Sequence, residues 1–322
     1  MDAVARPPSR FPAVQVVLFC ATVVTTLFVG TFMSDAAEVL TSARTTGEVL
    51  AAAPAALVEG LRFSAALLAI LLVHEMGHWL LARRHGVDAS LPYFIPVPFG
   101  VGTLGAVIRM RSAMPTRAAA IDIGAAGPLA GFALAIPILL WGLAHSDVVA
   151  APAAATAQSS PALLAILWRI AHGLPAVPPD QGFLVFGESL LFRGAEWLAL
   201  GTLPAGADVH IHPVGFAAWV GLLVTSLNLV PVGQLDGGHV AYALVGGKRA
   251  RAVGRAASGL LLAAGLALSW SWLVWWALTR WLVGLGHPPA LDERPLDGRR
   301  RALAWLCLLV LALTFVPVPV SF

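Results

Sequence analysis

The chain has 322 residues, of which 58% are hydrophobic and 11% are charged, and its formal net charge is +3. Charged residues make up about a quarter of an ordinary soluble domain, so this composition excludes a soluble globular protein of the same size. The Lys and Arg residues form short clusters between apolar blocks, a distribution that argues against nucleic-acid binding. The length of the apolar blocks predicts an all-α, multi-pass protein of the cell membrane.

Six apolar blocks are predicted to cross the bilayer, because each comes close to the length that a transmembrane helix needs. The first block resembles a signal peptide. It is longer than the usual apolar core, however, and lacks a clean small-residue cleavage site, so we interpret it as a retained span. The predicted spans are 14–32, 63–82, 118–144, 214–232, 256–279 and 302–322.

The orientation of the spans follows from the positions of Lys and Arg, which are enriched in cytoplasmic loops. With both chain ends in the cytoplasm, most basic clusters lie inside and residues 145–212 form an outward loop. The basic cluster at 299–301 would then lie outside. Either the block at 256–279 is a hairpin of two short crossings or the rule fails locally. The length of that block, about one tilted span, favours local failure.

Two segments between the spans have unusual composition. Residues 91–110 read LPYFIPVPFGVGTLGAVIRM, and their prolines and glycines exclude a plain helix. The apolar residues of this segment predict short strands or a loop that dips into the membrane region. The outward loop opens with an Ala/Pro/Ser-rich run at 149–161, and its stretches 162–170 and 183–200 are apolar enough to lie on the membrane.

Metal ligands are restricted to His, Asp and Glu, because Cys20 and Cys307 each lie within an apolar block. The second span ends in LLVHEMGHWLLARR, in which His74 and His78 are four residues apart. On a helix this spacing directs both imidazoles from one face, where they can bind one zinc ion, and Glu75 is positioned to handle a proton of a zinc-bound water. The alternative is a polar cluster that only packs helices. Ionisable groups in an apolar span are costly without a function, which disfavours that alternative.

A tetrahedral catalytic zinc ion needs a third protein ligand, and the best candidate is Asp236 in the stretch NLVPVGQLDGGH. Pro231 ends the preceding helix between Asn228 and Asp236, and the glycines let the backbone bend close to a site. In isolation Asp236 would be interpreted as a surface turn residue. The second and fourth spans are both predicted to run inward, however, so both motifs should lie at the same membrane depth.

These motifs together resemble the site-2 proteases, a family of intramembrane zinc metalloproteases also called peptidase family M50. The resemblance covers about residues 60–145 and 212–300, in the order of the family. The matching stretches are HEMGH at 74–78, PFGVGTLGAVIRM at 98–110, GAAGPLAG at 124–131 and HPVGFAAWVGLLVTSLNLVPVGQLDGGH at 212–239.

The resemblance implies a role for each of five residues. His74, His78 and Asp236 match the family's zinc ligands, with one zinc ion per chain, and Glu75 matches its catalytic glutamate. Asn228 matches an asparagine that helps to orient the substrate or the oxyanion. The implied reaction is hydrolysis of a peptide bond in or near a transmembrane segment of another protein.

The predicted architecture is a single integral-membrane domain, 1–322, with about six transmembrane helices and a short membrane-associated β or loop segment. Three helices form its catalytic core, at about 60–145 and 212–245. The predicted partners are a transmembrane protein substrate and the lipid bilayer. Two alternatives stay open: a divalent-cation transporter that uses the same His and Asp residues, and a catalytically dead scaffold that binds membrane segments.

Four histidines and one aspartate are not assigned to the zinc site. We interpret His85 and Asp122 as partners of helix dipoles and His239 as a turn residue. His210 and His212 have ligand-like spacing but precede the fourth span on the predicted outer face, far from the other motif.

Overall fold

The computed structural model is mostly helical and describes residues 12–32, 42, 44–151, 162–174 and 185–321. The helices are α1 (Ala13–Thr31), α2 (Thr46–Arg84), α3 (Arg117–Ala144), α4 (Leu163–Ala171), α5 (Leu190–Leu200), α6 (Pro213–Leu229), α7 (Asp236–Val245), α8 (Gly247–Ala267), α9 (Ser271–Leu278), which continues into a π-helical turn (Thr279–Val283), and α10 (Gly298–Thr314). The strands are β1 (Tyr93–Pro96), β2 (Thr103–Val107), β3 (Asp147–Ala150), β4 (Val185–Phe186), β5 (Ala207–His210) and β6 (Val320–Ser321).

Three helices, α1, α2 and α3, are long and apolar enough to cross a membrane, by length and composition. They correspond to the first three predicted spans. The fourth and sixth predicted spans correspond to α6 and α10, each of 17 residues. The helical character of the chain and the first three spans therefore agree with the prediction, whereas the total of six spans does not follow from these helix lengths.

Helix α2 is longer than predicted, with 39 residues beginning at Thr46 rather than at 63. Its start is fixed by a capping box, in which the Thr45 side chain and the Glu48 side chain each accept a hydrogen bond from the other residue's backbone N–H. Glu59 and Arg62 lie just before the apolar run, 63–82, from which the span was predicted. They do not end the helix, because they form an ion pair three residues apart on its surface.

Glycines allow α2, α3 and α6, the helices of the predicted catalytic core, to approach closely. A Cβ atom at Gly77 of α2 would lie 2.6 Å from the carbonyl oxygen of Ala126 in α3. Gly142 near the end of α3 lies directly against Gly215 in the first turn of α6. Small residues at such contacts let helix backbones pack at short distance in a membrane. The contacts hold α3 between α2 and α6.

The segment at 91–110 contains short strands, as predicted. Strands β1 and β2 pair antiparallel, with Phe94 opposite Ala106. The connecting turn includes Gly102, whose φ of +84° favours glycine and where a Cβ would collide with the α1 backbone at Thr26. The Thr25 hydroxyl of α1 also donates a hydrogen bond of 2.7 Å to the Gly102 carbonyl. The hairpin is therefore fastened to α1 at its turn.

The interpretation of 256–279 as one tilted span is wrong. Helix α8 ends at Ala267, and α9 begins at Ser271 and packs back against it. A Cβ at Gly265 would lie 2.5 Å from the Leu273 side chain, so the glycine permits this close return. The alternative prediction for this block is a hairpin of two short crossings, and the structure has a hairpin of two helices there.

The hairpin changes the position of the C-terminal part of the chain. Arg300, at the start of α10, pairs with Asp122 at 2.7 Å, and Asp122 pairs with His85 at the end of α2 at 3.0 Å. The cluster at 299–301 therefore lies at the same end of the bundle as the other basic clusters, and no local failure of the charge rule is needed. Strand β6 pairs with β4, inside the predicted outward loop. The C-terminal end therefore lies beside that loop, contrary to the prediction that the two are on opposite sides, because α10 runs from the Arg300–Asp122 pair at one end of the bundle toward β6 at the other.

The described parts of the loop at 145–212 form a small layer at the other end of the bundle. Strands β3 and β5 pair antiparallel where the loop leaves α3 and enters α6. Two short helices, α4 and α5, expose large apolar side chains, including Trp168 and Trp197. Most of the Ala/Pro/Ser-rich run lies outside the described residues, and the contact of α4 and α5 with a membrane surface stays a prediction.

Candidate active site

The three predicted zinc ligands lie together. His74 and His78 occupy successive turns of α2, with their Nε2 atoms 3.2 Å apart. Asp236 is the first residue of α7, and its carboxylate oxygens lie 3.3 Å from His74 Nε2 and 3.2 Å from His78 Nε2. One ligand atom from each residue lies within 4.8 Å of the others, and within the described ranges no second His, Cys, Asp or Glu group meets this test.

The donor set fits a zinc ion. Two imidazole nitrogens and one carboxylate oxygen are ligands that zinc prefers, and three protein ligands leave the fourth tetrahedral position open. Both imidazoles are almost completely buried. Nδ1 of His78 donates a hydrogen bond of 2.7 Å to the Ile123 carbonyl, which orients the ring with Nε2 toward Asp236 and leaves Nε2 as the nitrogen available to a metal ion.

The motif GAAGPLAG in α3 makes room for the imidazoles. A Cβ at Gly127 would overlap the His78 ring, and a Cβ at Gly131 would lie 3.1 Å from the His74 Cβ. Gly124 gives similar space to His239, whose Cβ would lie 2.7 Å away. Larger residues at these positions would push the histidines out of place.

A tight turn brings Asp236 to the histidines. Helix α6 ends at Leu229, and the chain folds back so sharply that a Cβ at Gly237 would overlap the Leu229 carbonyl. Gly233 adopts a positive φ of +55° within this turn. The next helix then starts at Asp236, where a carboxylate is favoured by the helix dipole.

The other two predicted site residues lie beside the ligands. The Glu75 side chain is buried, with 5% exposure, and its carboxyl group meets the main chain of Ile108. Asn228, in the last turn of α6, has its Nδ2 atom 3.4 Å from His74 Nε2. The structure therefore brings together all five residues that the sequence selected.

These residues line a cavity of about 420 Å³. The ligands, Glu75 and Asn228 form one wall, and residues 106–110 at the end of β2 form another. Sequence reasoning missed several of the remaining lining residues, which have no motif of their own. They include Gln234, Ser112, Met114, Pro288 and Pro289.

A second polar cluster fixes the segment at 284–297, which contributes Pro288 and Pro289 to the cavity lining. Burial lowers the pKa of His287 and so favours the neutral ring. The hydrogen bond from this ring to the Pro288 carbonyl acts in the opposite direction but is the smaller effect. Since its Nδ1 donates to that carbonyl, its Nε2 accepts from Nδ1 of His239 at 2.6 Å. The Tyr242 hydroxyl accepts a hydrogen bond of 2.6 Å from the Ala290 backbone. Helix α7 thus holds this segment over the cavity, and His239 is more than a turn residue.

The remaining candidates lie away from the ligands. Asp122 pairs with both His85 and Arg300, so these residues form an ion network rather than two separate partners of helix dipoles. His212 lies at the opposite end of the bundle, 3.8 Å from Glu59 near the start of the apolar part of α2. Leaving His212 out of the zinc site is therefore consistent with its position.

Comparisons with known proteins identify a family and several relatives of the chain. The family model for peptidase family M50 matches residues 62–272. The chain is similar to the probable zinc metalloprotease EGY2, chloroplastic, of Arabidopsis thaliana, with 30% identity over 79% of this chain and 41% of the relative. It is also similar to the probable zinc metalloprotease EGY1, chloroplastic, of the same plant, with 34% identity over 78% of this chain and 42% of the relative.

A third relative, the probable zinc metalloprotease EGY2, chloroplastic, of Oryza sativa subsp. indica, is 34% identical over 60% of this chain and 31% of the relative. The chain therefore spans about two fifths or less of the length of these curated relatives. No solved structure matches the chain.

Proposed function

The chain belongs to peptidase family M50, and we propose that it is a zinc metalloendopeptidase that hydrolyses a peptide bond in or near a transmembrane segment of another membrane protein. One observation carries the proposal. The buried carboxyl group of Glu75 lies beside the three ligand atoms of His74, His78 and Asp236 and is not one of them. Glu75 and the two histidines belong to a 39-residue helix that is long and apolar enough to cross a membrane.

His74, His78 and Asp236 would hold one zinc ion per chain, which when bound would supply Lewis-acid activation of the scissile carbonyl and of water. Glu75 takes the proton of the attacking water on a carboxylate oxygen and passes it to the leaving amine. The Nδ2 group of Asn228 is available to donate a hydrogen bond to the substrate carbonyl, since it lines the same cavity.

The substrate lies as an extended chain along the free edge of β2. A helical substrate must unwind locally, and its exposed peptide groups then need new hydrogen-bond partners. The main-chain groups of Arg109 and Arg111 are bonded to Ser90 and Asp88 on the inner side. Met110 lies between these two residues. In an antiparallel ladder its main-chain N–H and C=O groups therefore point to the opposite edge, toward the cavity that Met110 lines. An added strand can bind there.

Replacing Met110 with Pro tests this edge more directly than a change at Gly102, which holds the turn against α1. Met110→Pro removes an outward N–H without breaking the inner ladder, so cleavage should fall by about tenfold while zinc stays bound. The measurement is turnover of a model transmembrane substrate, together with zinc content. Met110→Ala removes the side chain and keeps the N–H. Equal loss in both variants would count against strand addition.

A divalent-cation transporter is the main alternative. It would use the same three ligands but would require further ionisable residues along a path through the membrane. The second ionic cluster near these helices, Asp122 with His85 and Arg300, is closed by its own ion pairs. Among the described residues, buried carboxylates and imidazoles concentrate around one cavity, which favours hydrolysis.

For orientation, we propose that the end of the bundle with the basic clusters faces the cytoplasm and that β3 and β5 face outward. In a background without the native cysteines, a membrane-impermeant thiol reagent applied from outside should label Asp208→Cys and leave Lys248→Cys unlabelled. Both positions are exposed. Labelling in the reverse pattern would invert the proposed topology.

The function is tested by reconstituting the purified chain in liposomes with a single-span model substrate. Mass spectrometry should identify two fragments whose junction lies in or near the span, and a zinc chelator should stop their formation. Zinc uptake measured in the same liposomes separates the transporter. Uptake without cleavage would overturn the proposal.

A further inference from the structure

The cavity contains one charged lining residue that the proposed reaction does not use. The Asp, Glu, Lys and Arg residues of its lining are Glu75, Asp236 and Arg109, and the first two belong to the catalytic group. Arg109 is exposed and follows directly after Ile108, whose main chain meets the Glu75 carboxyl group. Its neighbours Met110 and Met114 on the same wall are apolar.

Three other arginines at this end of the bundle are engaged within the protein. Arg111 lies 3.9 Å from a carboxylate oxygen of Asp88, and Arg117 donates to the Ala243 carbonyl. Arg300 pairs with Asp122. Among the described residues, no carboxylate lies within ion-pair distance of the Arg109 guanidinium, and its recorded hydrogen bonds are those of its main chain with Ser90.

The main chain of Arg109 is fixed although its head group is unpaired. Its backbone N–H donates to the Ser90 hydroxyl at 2.9 Å, and its carbonyl accepts from the Ser90 N–H at 3.0 Å. The main chain of Arg109 therefore has a defined position one residue, about 3.3 Å of rise, beyond Ile108, the residue whose main chain meets Glu75. A substrate strand on the free edge would present the residues next to its scissile bond to this side chain.

We propose that Arg109 is a specificity-determining residue that selects substrates carrying an Asp or Glu within a few residues of the scissile bond. The inference rests on the proposed function, because it needs a peptide bound along β2. An acidic side chain there would lie near the carboxyl group of Glu75, and Arg109 is the Lys or Arg residue of the cavity lining that can pair with it. A guanidinium offers it charge-assisted, bidentate hydrogen bonds in a partly enclosed site.

The test uses three model transmembrane substrates that differ at one position beside the mapped cleavage site, with Glu, Gln or Lys there. For the wild-type chain, kcat/KM should be about three- to tenfold higher for the Glu than for the Gln substrate, and lowest for Lys, as expected for a partly exposed charge-assisted pair. Arg109→Gln should bring the Glu-to-Gln ratio close to one, and Arg109→Glu should favour the Lys substrate. Arg111→Gln is the matched control and should keep the wild-type ratio.

The outcomes separate the inference from the proposed function. Equal wild-type rates on all three substrates, or a Glu preference that survives in Arg109→Gln, would overturn the specificity role while leaving the protease intact. A uniform loss on all three substrates in Arg109→Gln would also overturn it, since that pattern belongs to a residue that holds a lipid headgroup or the local fold. If the wild-type chain cleaves none of them, the proposed function itself fails.

Discussion

Replacing Glu75 by Gln should lower peptide cleavage by about 10² to 10⁴-fold, the usual cost of losing a general base. The amide keeps the size and hydrogen bonding of the side chain but cannot accept the proton of water. Zinc content should be unchanged, because Glu75 lies outside the group formed by His74, His78 and Asp236. A transporter that uses those three ligands would keep most of its metal flux after this substitution.

The measurement compares wild type and Glu75→Gln in the same liposomes, with cleavage, zinc content and zinc uptake recorded side by side. Glu59→Gln is the matched control, because it makes the same chemical change near the other end of α2, where Glu59 pairs with Arg62. Its cleavage rate should be close to that of wild type. Undiminished cleavage by Glu75→Gln would remove the proposed general base and, with it, the hydrolytic mechanism.

The core of the site could be predicted because its geometry is largely local. A helix alone places His74 and His78 on one face, so the HEMGH spacing needed no knowledge of the fold. Asp236 required one more step, the inference that the second and fourth spans run in the same direction. The glycines of GAAGPLAG also carry information about the site, because their spacing matches the imidazoles that they accommodate.

The C-terminal third of the fold could not be predicted in the same way. An apolar run indicates that a segment is buried in lipid or protein, but it does not reveal where the chain turns back. The return of α9 onto α8 depends on the fit between Gly265 and Leu273. The pairing of Arg300 with Asp122 joins residues 178 positions apart, and the local sequence around either residue does not indicate its partner.

The position of the segment at 284–297 could not be predicted, for a related reason. It has no helical or strand periodicity and no motif. Its position over the cavity results from tertiary contacts, namely those of His287 with His239 and of Ala290 with Tyr242. The same contacts give His239 a role that its position in a turn did not suggest. Asp236, three residues before His239, is predicted from the requirement for a third zinc ligand.

Substituting Asp236 by Ala should abolish stable zinc binding. Wild type should carry about one zinc ion per chain, because one group of ligand atoms in the described structure has the required geometry. Loss of a partner that merely supports a ligand costs about 10 to 100-fold in metal affinity, so loss of a ligand itself should cost more. His74 and His78 alone leave two protein donors, fewer than catalytic zinc sites use.

Zinc per chain is measured by mass spectrometry after equilibration at a fixed free zinc concentration, for wild type, Asp236→Ala and the control Asp88→Ala. Asp88 is an exposed carboxylate near the same end of the bundle but outside the cavity lining, so its loss should leave zinc content unchanged. Circular dichroism separates zinc loss from unfolding, since Asp236 also stabilises the start of α7 through the helix dipole. Full zinc retention in a folded Asp236→Ala chain would assign the third ligand to another cavity residue, and His239, one turn further along α7, would then be the first to examine.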